Sequence, residues 1–236
     1  MKRFLFCCIL FALAMRNSAA AQTDVGVNAY GAFTGASASL NSGEETQSAT
    51  SSGGGMLEFR HIRSELVGFE GTYSLQRANQ LFTYTGAYPV IPVCIPGPCS
   101  PPSNPVPAMT SVSAMTHELS GDWIVSDPIT KSVRLFALAG VGVRISVPGS
   151  GPGGSQTSIS TTPSYIYGLG GEWQIRQRWG LRVQYRGDIH KVPEVTKALV
   201  LPYSTSPVSP GSPTPLTTPD SFEHDAEPMV GIYYRF

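Results

Sequence analysis

Eight stretches of this chain alternate apolar residues with polar or small ones at a period of two, the pattern of a strand with two unlike faces. They lie at about 24–34, 54–60, 65–75, 113–125, 132–147, 164–173, 179–190 and 224–236. In the first, Val25, Val27, Ala29 and Phe33 share one parity. In the second, Leu57 and Phe59 oppose Glu58 and Arg60; in the third, Val67, Phe69, Tyr73 and Leu75 oppose Gly68, Glu70, Thr72 and Ser74. Met115, Leu119 and Trp123 oppose Thr116, Glu118, Ser120 and Asp122 in the fourth. The fifth sets Val133, Leu135, Ala137, Ala139, Val141 and Val143 against Arg134, Gly140, Gly142 and Arg144. The sixth sets Tyr165, Tyr167, Leu169 and Trp173 against Gly168, Gly170 and Glu172. The seventh alternates most cleanly: Trp179, Leu181, Val183, Tyr185 and Ile189 against Arg182, Gln184, Arg186 and Asp188. No stretch sustains a 3.6-residue period, so the pattern predicts an all-β chain.

The connections alternate in length. Residues 60–64, 126–131 and 175–178 read as tight turns, whereas about 35–53, 76–111, 148–162 and 191–222 read as long loops. Fifteen of the 20 prolines fall in the second and fourth long loops, away from the strands. That segregation is expected, because proline cannot donate to a sheet ladder. Trp123, Trp173 and Trp179 stand beside short turns and share the apolar parity. With Phe59 and Phe236 they would form an aromatic girdle at a membrane–water interface; Phe33, Tyr73 and Tyr165 would form a second band at the other rim.

The N-terminus reads as an export signal. Lys2 and Arg3 precede an apolar run from Phe4 to Met15, and Ala19-Ala20-Ala21 offers a cleavage site before Gln22. The run is too short to span a bilayer as a helix. A mature chain of 22–236 would be one domain and would carry three negative charges, since Lys2, Arg3 and Arg16 leave a chain of formal charge zero. Without a basic stripe, nucleic acid is not an expected partner. Charged residues make up only 14%, against about 25% in soluble domains. No apolar run after the leader reaches about 18 residues, so a membrane could be crossed only by strands. Cys94 and Cys99 survive cleavage, flank Pro96-Gly97-Pro98, and would close a local disulfide in an oxidising compartment. No histidine lies near them to suggest a metal site.

The chain ends Val230-Gly231-Ile232-Tyr233-Tyr234-Arg235-Phe236. Val230, Ile232, Tyr234 and Phe236 make one face continuously apolar. This ending resembles the C-terminal assembly signal of bacterial outer-membrane β-barrels. With the leader, the eight alternating segments and the short and long connections, the mature chain is similar in layout to the small outer-membrane β-barrel family, the OmpA barrel domain and OmpX-like proteins. The resemblance is to the OmpA barrel alone and does not reach the peptidoglycan-binding domain that follows it there. The resemblance implies an eight-stranded antiparallel up-and-down transmembrane barrel. It also implies a monomer in outer-membrane lipid, inserted by the barrel assembly machinery, with short periplasmic turns, both termini periplasmic and no cofactor.

In such a barrel the polar parity faces a narrow lumen. It collects Glu58, Arg60, Glu70, Glu118, Asp122, Arg134, Arg144, Glu172, Arg182, Arg186, Asp188 and Arg235, six acids and six bases. Eight strands leave an interior that side chains can fill. Unpaired buried charge is costly, so these groups are expected to pair into a plug. A hydrolytic site finds little support. His117 and Ser120 differ by an odd number and would face opposite sides of a strand, which no Ser–His dyad allows. His190 and His224 could approach each other across the last two strands, near Glu223 and Asp225. Gly53-Gly54-Gly55 and the Gly140/Gly142 pair would relieve crowding within strands. The expected role is non-enzymatic: a charge-plugged anchor that displays surface loops. A narrow pore for ions or small solutes is the alternative. A lipid-modifying enzyme ranks below it. A soluble lipocalin-like binder would require the inverse barrel, with the apolar parity inside.

Overall fold

The computed structural model describes residues 22–35, 37–40, 45–64, 66–84, 108–150, 156–194, 196–198 and 222–236. The leader at 1–21 and both Cys94 and Cys99 lie outside the described residues. The elements are β1 (Gln22–Thr34), β2 (Ser37–Leu40), β3 (Glu45–Ala49), β4 (Ser52–Ile62), β5 (Val67–Tyr84), β6 (Ala108–Pro128), β7 (Val133–Pro148), β8 (Gln156–Thr157), β9 (Ser160–Gln174), β10 (Trp179–Lys191), β11 (Thr196–Ala198) and β12 (Phe222–Arg235). Among the described residues there is no helix.

Eight strands close an antiparallel ring in the order β1, β4, β5, β6, β7, β9, β10, β12. Closure is made by β1 and β12, whose register sets Asp24 opposite Arg235 and Ala29 opposite Val230. A closed ring pairs its backbone donors and acceptors internally and leaves no edge, as a strand-built structure must in hydrocarbon. Three tight turns join β4 to β5, β6 to β7 and β9 to β10. Each is closed by backbone bonds from the turn's start to the next strand, such as Ile129 N–H to the Val133 carbonyl at 3.0 Å and Ile175 N–H to Trp179 at 3.0 Å.

The strands run further toward the long-loop end than the alternation suggests. Residues 76–111 read as a loop, yet β5 continues to Tyr84 and β6 begins at Ala108, with those two residues paired. The two-residue period fades there because both faces change company. On the outside, polar Arg77 donates to the Ser113 hydroxyl at 2.9 Å, beyond the apolar band. On the inside, Phe82, Val112 and Ala114 form a small buried cluster. The expected loop at 35–53 also contains strands: β2 pairs with β3, and β3 lies along the upper part of β5, with Ala49 opposite Gln80. A two-stranded pairing of β8 with β11 falls inside what reads as the third and fourth loops.

Apolar side chains point outward around the ring: Val27, Leu57, Leu119, Val141, Leu169, Val183 and Ile232 are each more than half exposed. The polar parity points in. A water-soluble binding barrel would have the reverse arrangement. The lumen is nevertheless mixed, because Ile124, Phe136, Leu138 and Ile166 pack together on its inner wall. Glycines opposite make the room. A Cβ on Gly170 would lie 2.5 Å from Phe136 Cζ, and one on Gly54 2.6 Å from Tyr30 Cζ.

Candidate functional site

Among the described residues, strand geometry concentrates chemistry in the lumen. Because side chains alternate, every second residue of each ring strand is delivered to the axis. Strand tilt then sorts these residues into layers. Near the short-turn end, Arg235 on β12 donates to Asp24 on β1 (3.2 Å) and to the Gln174 side-chain oxygen on β9 (2.9 Å). Arg134, its neighbour, lines a cavity of about 150 Å³ at this mouth with Lys131, Glu172, Gln174, Tyr233 and Arg235. Arg134 and Glu172 are register partners, yet Glu172 pairs with Arg60.

The next layer joins β4, β5 and β10. Arg60 donates to Glu70 through Nη2 at 2.8 Å and through Nε at 3.0 Å, and its Nη2 lies 3.4 Å from Glu58. Arg182 bonds Glu70 at 2.7 Å and also pairs with Glu58, to which Asn28 donates at 2.8 Å. Both guanidiniums lie over Phe136, Arg182 Cζ at 4.3 Å and Arg60 Cζ at 5.0 Å from the ring centroid. A guanidinium face on an aromatic ring is attractive, most so when desolvated. This explains an apolar ring inside a charged lumen.

Above them, Arg186 bonds Glu227 at 2.5 Å and pairs with Glu118. Toward the long-loop end, Arg144 Nη1 meets Asp188 Oδ2 at 2.5 Å, Asp225 Oδ2 at 2.9 Å and His190 Nδ1 at 2.9 Å. Asp225 also accepts from Thr34 at 2.7 Å. Asp122 is fully buried and accepts from Ser120 at 3.0 Å.

The structure thus places all twelve inward charges named from the sequence around one axis, ten of them buried and Arg134 and Arg235 half-buried at a mouth. It adds Asp24, Glu223, Asp225 and Glu227, all buried. Parity could have found them: each falls on the inward register of β1 or β12, two residues at a time from Asn28 or Met229. The balance of six acids to six bases is corrected accordingly. Among the described residues the lumen holds ten carboxylates and six guanidiniums.

The histidine juxtaposition is corrected as well. Along β10 and β12, Ile189 faces His224 and His190 faces Glu223 in register, so the two histidines sit on opposite faces. His190 is buried in the lumen, whereas His224 points outward, its Nε2 2.8 Å from the Tyr167 hydroxyl. His117 is outward too, 2.8 Å from the Tyr73 hydroxyl, and Ser120 is inward, 2.6 Å from Thr72.

On the outer face, Phe59, Trp123, Trp173, Trp179 and Phe236 are exposed near the short-turn end. Trp123 meets Phe69 edge-on at 5.9 Å, and Tyr234 meets Trp179 at 5.0 Å and Phe236 at 5.1 Å. Val230, Ile232, Tyr234 and Phe236 line one outward row on β12 and beyond. Phe33, Tyr73 and Tyr165 are outward as well.

No protein-family model matches this sequence, and no curated protein matches it. Solved structures do. Neisserial surface protein A aligns over 92% of this chain and 100% of its own, with TM-score 0.52 and 12% identity. The outer membrane protein OprG of Pseudomonas aeruginosa aligns over 91% and 96%, with TM-score 0.50 and 9% identity. Ail, the attachment invasion locus protein of Yersinia pestis, aligns over 92% and 97% at 14% identity and TM-score 0.45. The fold is that of the small outer-membrane β-barrels.

Proposed function

We propose that this protein is an integral barrel of the bacterial outer membrane, with both chain termini at the periplasmic side. In this reading it is non-enzymatic. The barrel anchors it as a monomer in outer-membrane lipid, and the long connections between strands form the external surface that carries its role. One observation carries the reading: the outward band of apolar residues is continuous around eight strands and encloses ion-paired charge. Such a barrel is stable only with hydrocarbon outside, because its exposed apolar belt is otherwise unsatisfied. The aromatic row Phe59, Trp123, Trp173, Trp179 and Phe236 supports placing the short turns at an interface, and short turns are periplasmic in this architecture. The fold shared with outer-membrane proteins supports the compartment.

The lumen is read as a plug rather than a pore. Its layers of guanidinium and carboxylate, the Ile124–Phe136–Leu138–Ile166 wall and the Phe82–Val112–Ala114 cap leave no continuous water-filled axis in this reading. The test pairs two measurements. Electrophoresis of the outer-membrane fraction, with and without boiling, should give a heat-dependent shift, since closed barrels resist detergent until heated. Planar bilayers containing the refolded protein should then stay silent. A soluble periplasmic protein without a shift overturns the barrel in the membrane, and steady unit conductance overturns the plug.

A further inference from the structure

The arrangement around Arg144 Nη1 is over-subscribed. That nitrogen carries two protons, and three buried acceptors converge on it: Asp188 Oδ2, Asp225 Oδ2 and His190 Nδ1, at 2.5, 2.9 and 2.9 Å. For His190 to accept there, Nδ1 must be bare, which leaves the proton on Nε2. Nε2 lies 3.6 Å from Glu223 Oε2, a buried carboxylate. A carboxylate behind one imidazole nitrogen, with the other nitrogen bare beside two further carboxylates, is the arrangement by which proteins orient a histidine toward a metal.

Two further observations point to a ligand. Among the described residues, Asp188 Oδ1 and Glu223 Oε1 are buried without a hydrogen-bond donor. Among the described residues, Glu118, Asp188, Glu223, Asp225 and Glu227 share this end of the lumen with Arg144 and Arg186, five carboxyl groups to two guanidiniums. Uncompensated buried charge is costly, so the layer favours a second cation. The three facing ligand atoms lie within 4.8 Å of one another. Arg144 has somewhere else to go: its register partner is Glu118, already 3.9 Å from Arg144 Nε. A polar cavity of about 10 Å³, lined by Thr34, Thr50, Gln76, Gln80, His190 and Asp225, adjoins the cage on the long-loop side. That is room for about one water molecule.

We propose that His190, Asp188 and Asp225 form a binding site for a divalent transition-metal ion. Glu223 holds the imidazole, and Arg144 serves as the stand-in cation that withdraws to Glu118 on metal entry. Mixed imidazole and carboxylate ligation suits Zn²⁺ better than Ca²⁺ or Mg²⁺.

The test uses the untagged chain refolded in detergent micelles and titrated with Zn²⁺ by calorimetry, with bound metal counted after dialysis. One equivalent should bind. It should persist in the Cys94→Ser/Cys99→Ser variant and in His224→Ala, and vanish in His190→Ala. Glu223→Gln should weaken it about 10- to 100-fold, the usual effect of losing such an orienting carboxylate. Arg144→Gln, which removes the competing guanidinium, should tighten it. The heat-dependent shift checks that each variant is folded. Absence of binding overturns the proposal, as does binding that follows the cysteines or His224. Binding that appears only after Arg144→Gln also overturns it, since the guanidinium would then be the resident cation.

Discussion

Arg182 is almost completely buried and ties Glu58 on β4 to Glu70 on β5 from across the lumen on β10. Removing it leaves Glu58 and Glu70 to share the single guanidinium of Arg60, so the buried layer loses one of its positive charges. Arg182→Met should therefore cost about 3–5 kcal/mol in chemical unfolding from micelles. Arg182→Met combined with Glu58→Gln should cost clearly less, because fewer carboxylates then share Arg60. Gly54 makes a steric prediction of the same kind. A Cβ there would lie 2.5 Å from the Leu75 carbonyl and 2.6 Å from the Tyr30 ring, and one of those atoms is backbone. Gly54→Val should destabilise by about 1–3 kcal/mol, whereas Gly53→Val, with its nearest neighbour at 3.8 Å, should be close to neutral. At this scale the parity of the sequence is enough to assign Glu58, Arg60, Glu70 and Arg186 to one face. It does not say that Arg60 and Arg182 share Phe136, because that contact crosses the lumen between strands far apart in sequence.

The longest hairpin, β5 with β6, shows where local pattern stops informing. Up to Leu75 and His117, the register pairs an apolar outer row with a polar inner one, and the alternation is plain in the sequence. Beyond them the outer row becomes Arg77, Asn79 and Ser113, and the inner row gains Phe82 and Val112. The two rows lose their contrast in polarity there, with Met115 still outward and Gln76 and Gln80 still inward, so a strand assigned by its apolar face ends too early. The same physics gives a depth map. Leu119→Arg, within the outward band, should cost about 2–4 kcal/mol in unfolding from lipid vesicles, and Ser111→Arg, further along the same strand, about 0–1 kcal/mol. Equal costs at the two positions would contradict the placement of the band.

For the whole molecule, closure is the property on which everything else depends, and it is made by the first and last strands. Phe236 N–H bonds the Thr23 carbonyl at 3.0 Å, and its ring stacks edge-on with Tyr234. We propose that Val230, Ile232, Tyr234 and Phe236 also serve as the assembly signal. Phe236→Ala should then lower the amount of folded protein in the cell's outer membrane while leaving refolding in micelles nearly unchanged; parallel losses in both would make the residue structural only. The barrel itself was legible in the sequence because eight alternating segments and three short turns specify a ring almost uniquely. The charge layers were legible as an inward set but not as pairs, since tilt and shear decide which residues meet.

The length of β5 has one more consequence. A crossing takes about 9–11 residues at roughly 3.3 Å each. With 18 residues in β5 and 21 in β6, the hairpin of the proposed membrane barrel continues beyond the bilayer. The excess is roughly 25 Å along the strand, and β3 buttresses it from one side. It is a mast. Its last described pair is Tyr84 with Ala108. With the short turns periplasmic, as proposed, a protease added to intact cells should spare them. Disrupting the outer membrane should expose no new site among those turns until the barrel itself is unfolded.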